Sequence, residues 1–177
     1  DNAIARKDDL VGELNKGWTV GKRLLQHERG SMASLVGGGA VKDTGPVLEG
    51  EAKVFSGEAN GRIADAALRD RILLHNMNSH VFHLTQRRTV EEASDGSTPG
   101  PATSIFKMYG TELQQERSSL FVEIRGTQGL GWTGDEFTGR SLMDTRGWLS
   151  NRAASIYSGS NEIQRNIIAK RVLGLPD

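Results

Sequence analysis

The amino-acid sequence predicts an all-α protein, an up-and-down four-helix bundle with an additional C-terminal helix. Apolar residues recur at helical spacing along most of the 177-residue chain. The alternating runs and closely spaced turn residues that are typical of short strands are nearly missing. A chain of this length can bury one good core, so one main domain is the simplest organisation.

The first part of the chain combines a loop with a helix. We expect residues 1–16 to be a strand remnant and a loop. A first helix is predicted from about Trp18 to about Gly37, where three consecutive glycines weaken or end it. A second, poorer helical stretch covers about residues 46–56, with Pro46 suited to a first-turn position.

Two long helices are predicted next, separated by the loop DGSTPGPA at residues 95–102. Asp65 can start the third helix, whose apolar stripe consists of Leu73, Met77, Val81 and Leu84. The fourth helix has an apolar face with i+4 and i+7 spacing, formed by Ile105, Tyr109, Leu113, Leu120 and Ile124. A glycine-rich loop over residues 126–140 and a short helix over about 144–154 follow.

The composition excludes several classes of function. There are 22 basic and 22 acidic residues, so the formal net charge is zero, which argues against a dedicated nucleic-acid binder. Cysteine is missing, which rules out a disulfide framework and thiol chemistry. No apolar run approaches the length of a membrane span. His75, His80 and His83 lack carboxylate or cysteine partners at ligand spacing, so no metal site is predicted.

The last 23 residues, SIYSGSNEIQRNIIAKRVLGLPD, carry the most information. Ile163, Ile167 and Ile168 share one face of a helix that Ser160 or Asn161 can cap and that Gly174 and Pro176 end. On physical grounds alone this is a small loop followed by a capped amphipathic helix. A glycine-containing loop at a helix start can also hold an anion.

This tail resembles the C-terminal signature of the acyl-CoA dehydrogenases, which reads approximately I-Y-x-G-T-N-E-I-Q-R. Ser160 replaces the usual Thr of this pattern and keeps the hydroxyl. Residues 11–30 are similar to the family's passage from its middle β-domain into the first C-terminal helix. The resemblance implies that residues 1–16 are a remnant of the β-domain or a linker, and that residues 17–177 are the C-terminal helical bundle domain. We therefore expect a C-terminal fragment of a longer enzyme.

The family removes the α-proton of an acyl-CoA thioester and transfers a β-hydrogen as hydride to FAD. In many members the base is a Glu directly before G-T, and Ser158 stands at that position here. Another branch takes its base from an E-R pair in the first C-terminal helix. Glu28 and Arg29 match that pair, so the resemblance implies Glu28 as the base and Arg29 as an orienting residue. The alternatives are an E-R pair on a solvated helix face and a subunit without a base.

The resemblance implies that Ser160 and Glu162 contact the dinucleotide, together with Gly159 and, in EIRGTQGLG, Gly126. Glu123 stands where the family has Gln, and the family's R-x-x-F-G segment is not found in residues 40–60. These departures indicate a divergent bacterial branch, in which unlike subunits can assemble.

The resemblance further implies an acyl-CoA substrate, a homo- or hetero-oligomer such as a dimer or tetramer, electron-transfer flavoprotein as the acceptor, and a cytoplasmic location. We expect the isolated chain to bind little or no FAD and to be inactive, because the family takes other flavin contacts from the β-domain. A non-catalytic assembly module, or a subunit without a base, is the alternative function.

Overall fold

The computed structural model describes residues 2–24, 47–92 and 103–176. The chain divides into two compact units, residues 1–40 and 41–177. In the first unit, Lys7–Asp9 form a short 3-10 helix and residues 17–24 are helical. No strand occurs within residues 2–24, and the assignment of residues 1–16 to a preceding β-domain stays a prediction.

Within its described residues, the second unit contains five α-helices and a small hairpin. The helices are α1 (Leu48–Ser56), α2 (Ala66–Glu92), α3 (Thr103–Arg125), α4 (Gly139–Ser150) and α5 (Asn161–Ile167). Short 3-10 helices follow α3 at Gly126–Leu130 and α4 at Asn151–Ser155, and one π-helical turn, Ile168–Val172, follows α5. The predicted all-α fold class is confirmed. Within the described residues, no helix is both long and apolar enough to cross a membrane.

The core of this unit lies where α1, α2 and the hairpin meet the C-terminal half of α3. Helix α3 supplies Leu120 and Ile124, which belong to its predicted apolar face, and also Phe121. The buried residues opposite them are Leu48, Ala52, Ile63, Leu68 and Ile72. Burial of these side chains stabilises the fold by about 25 cal/mol for each Å² of apolar surface removed from water.

Helix α2 begins where the sequence predicts but buries a different face. The Asp65 carboxylate accepts a hydrogen bond from the Leu68 N–H at 3.0 Å, which caps the helix start. The predicted stripe of Leu73, Met77, Val81 and Leu84 is 49–60% exposed, and the buried positions are Leu68, Ile72 and His75. The predicted stripe is therefore not the buried face, because the contact with α3 selects the neighbouring row of side chains.

A two-stranded hairpin joins α1 to α2, which corrects the expectation of no strands. Strands β1 (Glu58–Ala59) and β2 (Arg62–Ile63) pair antiparallel around Asn60 and Gly61. These two turn residues have φ values of 53° and 77°. Positive φ at both central positions is the requirement of a type I′ turn, and Asn-Gly is its preferred sequence. The hairpin places Ile63 in the core.

The last helices lie close to where the sequence predicts them, but some of their boundaries differ from the prediction. Helix α4 starts at Gly139, five residues before the predicted 144, because Thr138 caps it by accepting the Ser141 N–H at 3.2 Å. Ser160 is the N-cap of α5. Gly174 adopts φ 66° just after the last helical turn, as a terminating glycine does.

Candidate functional site

The functional prediction concentrates on residues 156–160, which we call the signature loop. Ser158 and Gly159 both have left-handed φ values, 56° and 92°. A Cβ on Gly159 would lie 2.8 Å from the Gln164 Nε2, so glycine suits this position for its conformation and its space. Ser160 returns to extended geometry, and its hydroxyl accepts the Ile163 N–H at a long 3.5 Å. The chain thus reverses direction directly before α5.

The segment before the signature loop is held by side chains of α3. The Lys107 Nζ donates to the Ala154 carbonyl at 2.5 Å and lies 5.6 Å from the centre of the Tyr157 ring. The Gln115 amide donates to the Asn151 carbonyl at 2.9 Å and to the Ser155 hydroxyl at 3.1 Å. Two of these bonds satisfy backbone carbonyls of the Asn151–Ser155 3-10 helix, and the third fixes the Ser155 hydroxyl.

The segment after the signature loop is held by the same helix. Asn161 is 3% exposed, and its Nδ2 donates to the Thr111 hydroxyl at 3.1 Å. The Thr111 hydroxyl in turn donates to the Met108 carbonyl at 2.9 Å. At the surface, Arg165 Nη2 lies 2.6 Å from Glu112 Oε1. A buried amide without such partners would cost about 1–3 kcal/mol, so the Asn161 pair fixes the start of α5.

Two titratable groups near the signature loop, Glu162 and Lys107, have lowered pKa values. The pKa of the Glu162 carboxyl is lowered by its own backbone N–H, by the Ser160 hydroxyl and by the nearby Arg165. Glu162 is thus ionised at neutral pH and acts as a hydrogen-bond acceptor. Burial lowers the pKa of Lys107, because removal from water disfavours the charged ammonium.

The structure does not bring all predicted site residues together. Ser160, Glu162 and Gly159 lie side by side at the start of α5. Gly126 follows the far end of α3 with φ 56°. Thr111 and Arg125 are 14 residues apart, which corresponds to about 20 Å along an α-helix. Gly126 and the signature loop could therefore contact one cofactor only at widely separated parts of it.

Glu28 and Arg29, the predicted base and its orienting partner, lie outside the described residues. Ser158, at the alternative base position, is exposed, and no described side chain hydrogen-bonds to its hydroxyl. A serine hydroxyl without an activating base is a poor proton acceptor. Nothing in the described loop therefore replaces the missing glutamate.

The three histidines of α2 have separate environments. His75 is 3% exposed, with Nδ1 3.1 Å from Glu116 Oε2 and Nε2 3.4 Å from the Ser79 hydroxyl. His80 and His83 are exposed. Within the described ranges, no three His, Cys, Asp or Glu side chains come together as a metal site would require. His75 thus acts as a polar contact between α2 and α3.

Sequence reasoning missed Lys107, Thr111 and Gln115 as residues that contact the signature segment. Their spacing of four places them on one face of α3. The sequence did show a row of polar residues on a helix that was predicted to pack in a bundle. It did not show which segment that row contacts.

Comparison with known proteins identifies the family of this chain. Residues 15–173 match the family described as acyl-CoA dehydrogenase, C-terminal domain. The chain is 31% identical over 176 residues to acyl-CoA dehydrogenase IpdE1 of Mycolicibacterium smegmatis, and 27% identical over 176 residues to acyl-CoA dehydrogenase FadE34 of Mycobacterium tuberculosis. This chain therefore belongs to the acyl-CoA dehydrogenase family, whose C-terminal domain it contains.

The match to each of three mycobacterial relatives covers 99% of this chain but only part of the relative. The chain spans 41% of the M. smegmatis IpdE1 protein and 22% of FadE34. It is also 30% identical over 183 residues to IpdE1 of M. tuberculosis, of which it spans 43%. The chain thus corresponds to less than half the length of these relatives.

Proposed function

We propose that this chain serves as the C-terminal domain of a flavin-dependent acyl-CoA dehydrogenase that introduces an α,β double bond into an acyl-CoA thioester. The observation that carries the proposal is the signature loop, with its two left-handed residues and its capped helix, within a match over residues 15–173. When bound, FAD supplies the acceptor for the β-hydrogen as hydride.

The start of α5 fits a polar part of a nucleotide. The loop backbone is exposed, the Ser160 hydroxyl is placed at the helix start, and Glu162 is held as an ionised acceptor. An ionised carboxylate suits a hydroxyl or amino donor of the ligand rather than a phosphate oxygen. We therefore assign Ser160 and Glu162 to hydrogen bonds with donor groups of the FAD nucleotide, beside the open backbone of Gly159. Gly126 is assigned to a distant part of FAD or to another FAD molecule.

Proton removal is assigned to Glu28. A carboxylate placed within hydrogen-bond reach can take the α-proton when the thioester oxygen is stabilised, and general-base catalysis of this kind contributes about 10²–10⁴-fold. Arg29 is assigned to orienting this site. Ser158 leaves its position without a basic group, so the base has to come from elsewhere in the protein.

The test is dehydrogenation of acyl-CoA substrates by the full-length protein, with its FAD content measured in parallel. Glu28→Gln should lower turnover about 10²–10⁴-fold at unchanged FAD content. Glu13→Gln, which alters an exposed carboxylate of the same unit, is the matched control and should leave turnover within twofold of the parent. Unchanged turnover in Glu28→Gln would remove Glu28 from the mechanism.

A second variant tests whether a carboxylate at position 158 can replace the one removed at position 28. Ser158→Glu in the Glu28→Gln background returns a carboxylate to the place where many family members have one. Ser158 is already a non-glycine residue at φ 56°, so glutamate adds no new class of backbone strain. Regained turnover would show that the signature loop faces the reacting carbon.

A second function, assembly of subunits, is favoured by the exposed face of α2. Leu73, Met77, Val81 and Leu84 form a continuous apolar row that is 49–60% exposed in the single chain. Apolar rows of this kind usually mark a contact surface. If the full-length protein forms an oligomer but shows neither FAD nor turnover, the chain is an assembly module or a subunit without a base.

A further inference from the structure

The signature loop is exposed, and its own hydrogen bonds are local. The Ile156 and Tyr157 N–H groups donate to the Ala153 carbonyl, and Gln164 Nε2 donates to the Gly159 carbonyl at a long 3.5 Å. Ile156 and Tyr157 are 69% and 55% exposed, and Ser158 and Gly159 are also exposed. A non-glycine residue in the left-handed region, such as Ser158, costs about 1–2 kcal/mol. A loop with this conformation persists only when neighbouring contacts determine it.

Those contacts come from two adjacent turns of α3. Lys107 holds the Ala154 carbonyl, just before the loop, and Thr111 holds the Asn161 amide, just after it. Residues four apart on a helix have their Cβ atoms about 5–6 Å apart. The two attachment points therefore bring the ends of residues 155–160 close together, which requires the chain to reverse where φ is positive.

The two attachments differ from ordinary surface contacts. The Lys107 Nζ donates to a carbonyl of a residue that is 1% exposed, and its ammonium also faces the Tyr157 ring. The Asn161 side chain is buried, and the Thr111 hydroxyl is within 3.2 Å of both its polar atoms. Loss of the Thr111 hydroxyl removes the partner of Asn161 Oδ1 and the shorter of two Nδ2 bonds, leaving Nδ2 with the Met108 carbonyl at 3.4 Å. Loss of the Lys107 ammonium removes its bond to the Ala154 carbonyl. Each loss therefore weakens the support of the loop on one side.

We propose that Lys107 and Thr111 are positioning residues, which act through Ala154 and Asn161 to hold the signature loop in its cofactor-binding conformation. This inference rests on the proposed function, because it gives the loop its ligand. Neither side chain contacts the cofactor in this scheme, so both affect binding of FAD through the loop alone.

The test uses Lys107→Met and Thr111→Val, which keep side-chain bulk and remove the polar contact. Amide hydrogen exchange of residues 156–163 should become faster in both variants, while exchange in α1 stays as in the parent. In the full-length protein, the dissociation constant for FAD, measured from flavin fluorescence, should rise about tenfold or more. Turnover at saturating FAD should stay within about twofold, because the loop regains its shape when the cofactor is bound.

Matched controls exist on other helices. Thr85→Val removes a hydroxyl that donates to the Val81 carbonyl at 2.9 Å, and Lys53→Met removes an ammonium that lies 3.0 Å from Glu49. Both controls should bind FAD as the parent does. Lys107→Arg, which keeps the charge and the donor, should restore much of the affinity that Lys107→Met loses.

The inference fails if loop exchange and FAD affinity in Lys107→Met and Thr111→Val equal those of the controls. It also fails if exchange quickens equally throughout the second unit, since that result shows a general loss of stability. A parent protein that binds no FAD contradicts the proposed function instead, and the exchange measurement then still decides whether α3 holds the loop.

Discussion

Arg125 offers the sharpest test of the packing described above. Its side chain is 2% exposed and lies among three helices. Nη1 donates to Glu51 of α1, and Nε donates to Asp144 of α4 at 2.8 Å. The guanidinium also lies 4.6 Å from the centre of the Phe55 ring. Nη2 is 2.8 Å from Asp144 Oδ2 but is not aligned for a hydrogen bond.

Replacement by methionine, an uncharged and unbranched side chain, should be strongly destabilising. It leaves the carboxylates of Glu51 and Asp144, only 24% and 13% exposed, without their shared cation. Breaking a buried ion pair by removing one partner costs about 3–5 kcal/mol. At about 2–4 °C per kcal/mol for a chain of this size, the melting temperature should fall by about 6–20 °C.

The assay is urea or thermal unfolding followed by circular dichroism. Arg87→Met is the control, because Arg87 is 71% exposed and its pair with Glu91 on the same helix contributes about 0.3–0.5 kcal/mol. The triple variant R125M/E51M/D144L removes the whole ionic cluster and should recover most of the loss. If Arg125→Met unfolds within about 1 kcal/mol of the parent, as Arg87→Met should, the reasoning is refuted.

Three further predictions concern local structure. Ser160→Ala should destabilise the start of α5 by about 0.5–2 kcal/mol, seen as faster amide exchange at Ile163, while Ser160→Thr should retain most protection. Gly61→Ala should cost about 1–2 kcal/mol in urea unfolding because φ is 77°, whereas Gly50→Ala inside α1 should not destabilise. Burial lowers the pKa of Lys107, so the unfolded chain binds more protons than the folded one between the folded pKa and about pH 10.5. The stability difference between the parent and Lys107→Gln should therefore shift in favour of the parent as pH rises through that range, and a difference independent of pH would contradict it.

Local signals in the sequence were sufficient for most helix positions. Asp65, Ser160 and Gly174 act at helix ends in the structure as their residue types predict. The hairpin at Asn60-Gly61 carried its signal too, but two strands of two residues each are too short for a recognisable alternating pattern.

The buried face of α2 illustrates why periodicity alone was insufficient. The helix has apolar residues on more than one face, so helical spacing fits Leu73 and Met77 as well as Leu68 and Ile72. Which row is buried depends on its partner α3, and the exposed row remains available for another contact. The polar His75 is buried on this face because Glu116 and Ser79 satisfy its ring nitrogens.

The contacts that shape the candidate site could not be predicted from the sequence for a related reason. Thr111 and Asn161 are 50 residues apart, and Arg125 and Glu51 are 74 apart. A single pair at such a separation leaves no periodic pattern, and the residue types involved are common on solvated faces. The family motif drew attention to the loop, but only the structure shows which side chains support it.

The position of Ser158 connects these contacts to the chemistry. Lys107 and Asn161 hold the chain on the two sides of residue 158, so these supports do not involve the Ser158 side chain. In the proposed function, the loop therefore keeps its role in cofactor binding without a carboxylate at position 158. Proton transfer and cofactor binding then become separable properties, located at opposite ends of the sequence. Glu28→Gln should lower turnover about 10²–10⁴-fold and leave FAD affinity unchanged. Thr111→Val should weaken FAD binding and leave turnover at saturating FAD within about twofold of the parent. If both variants lose both properties together, the base and the loop form one unit and this separation is wrong.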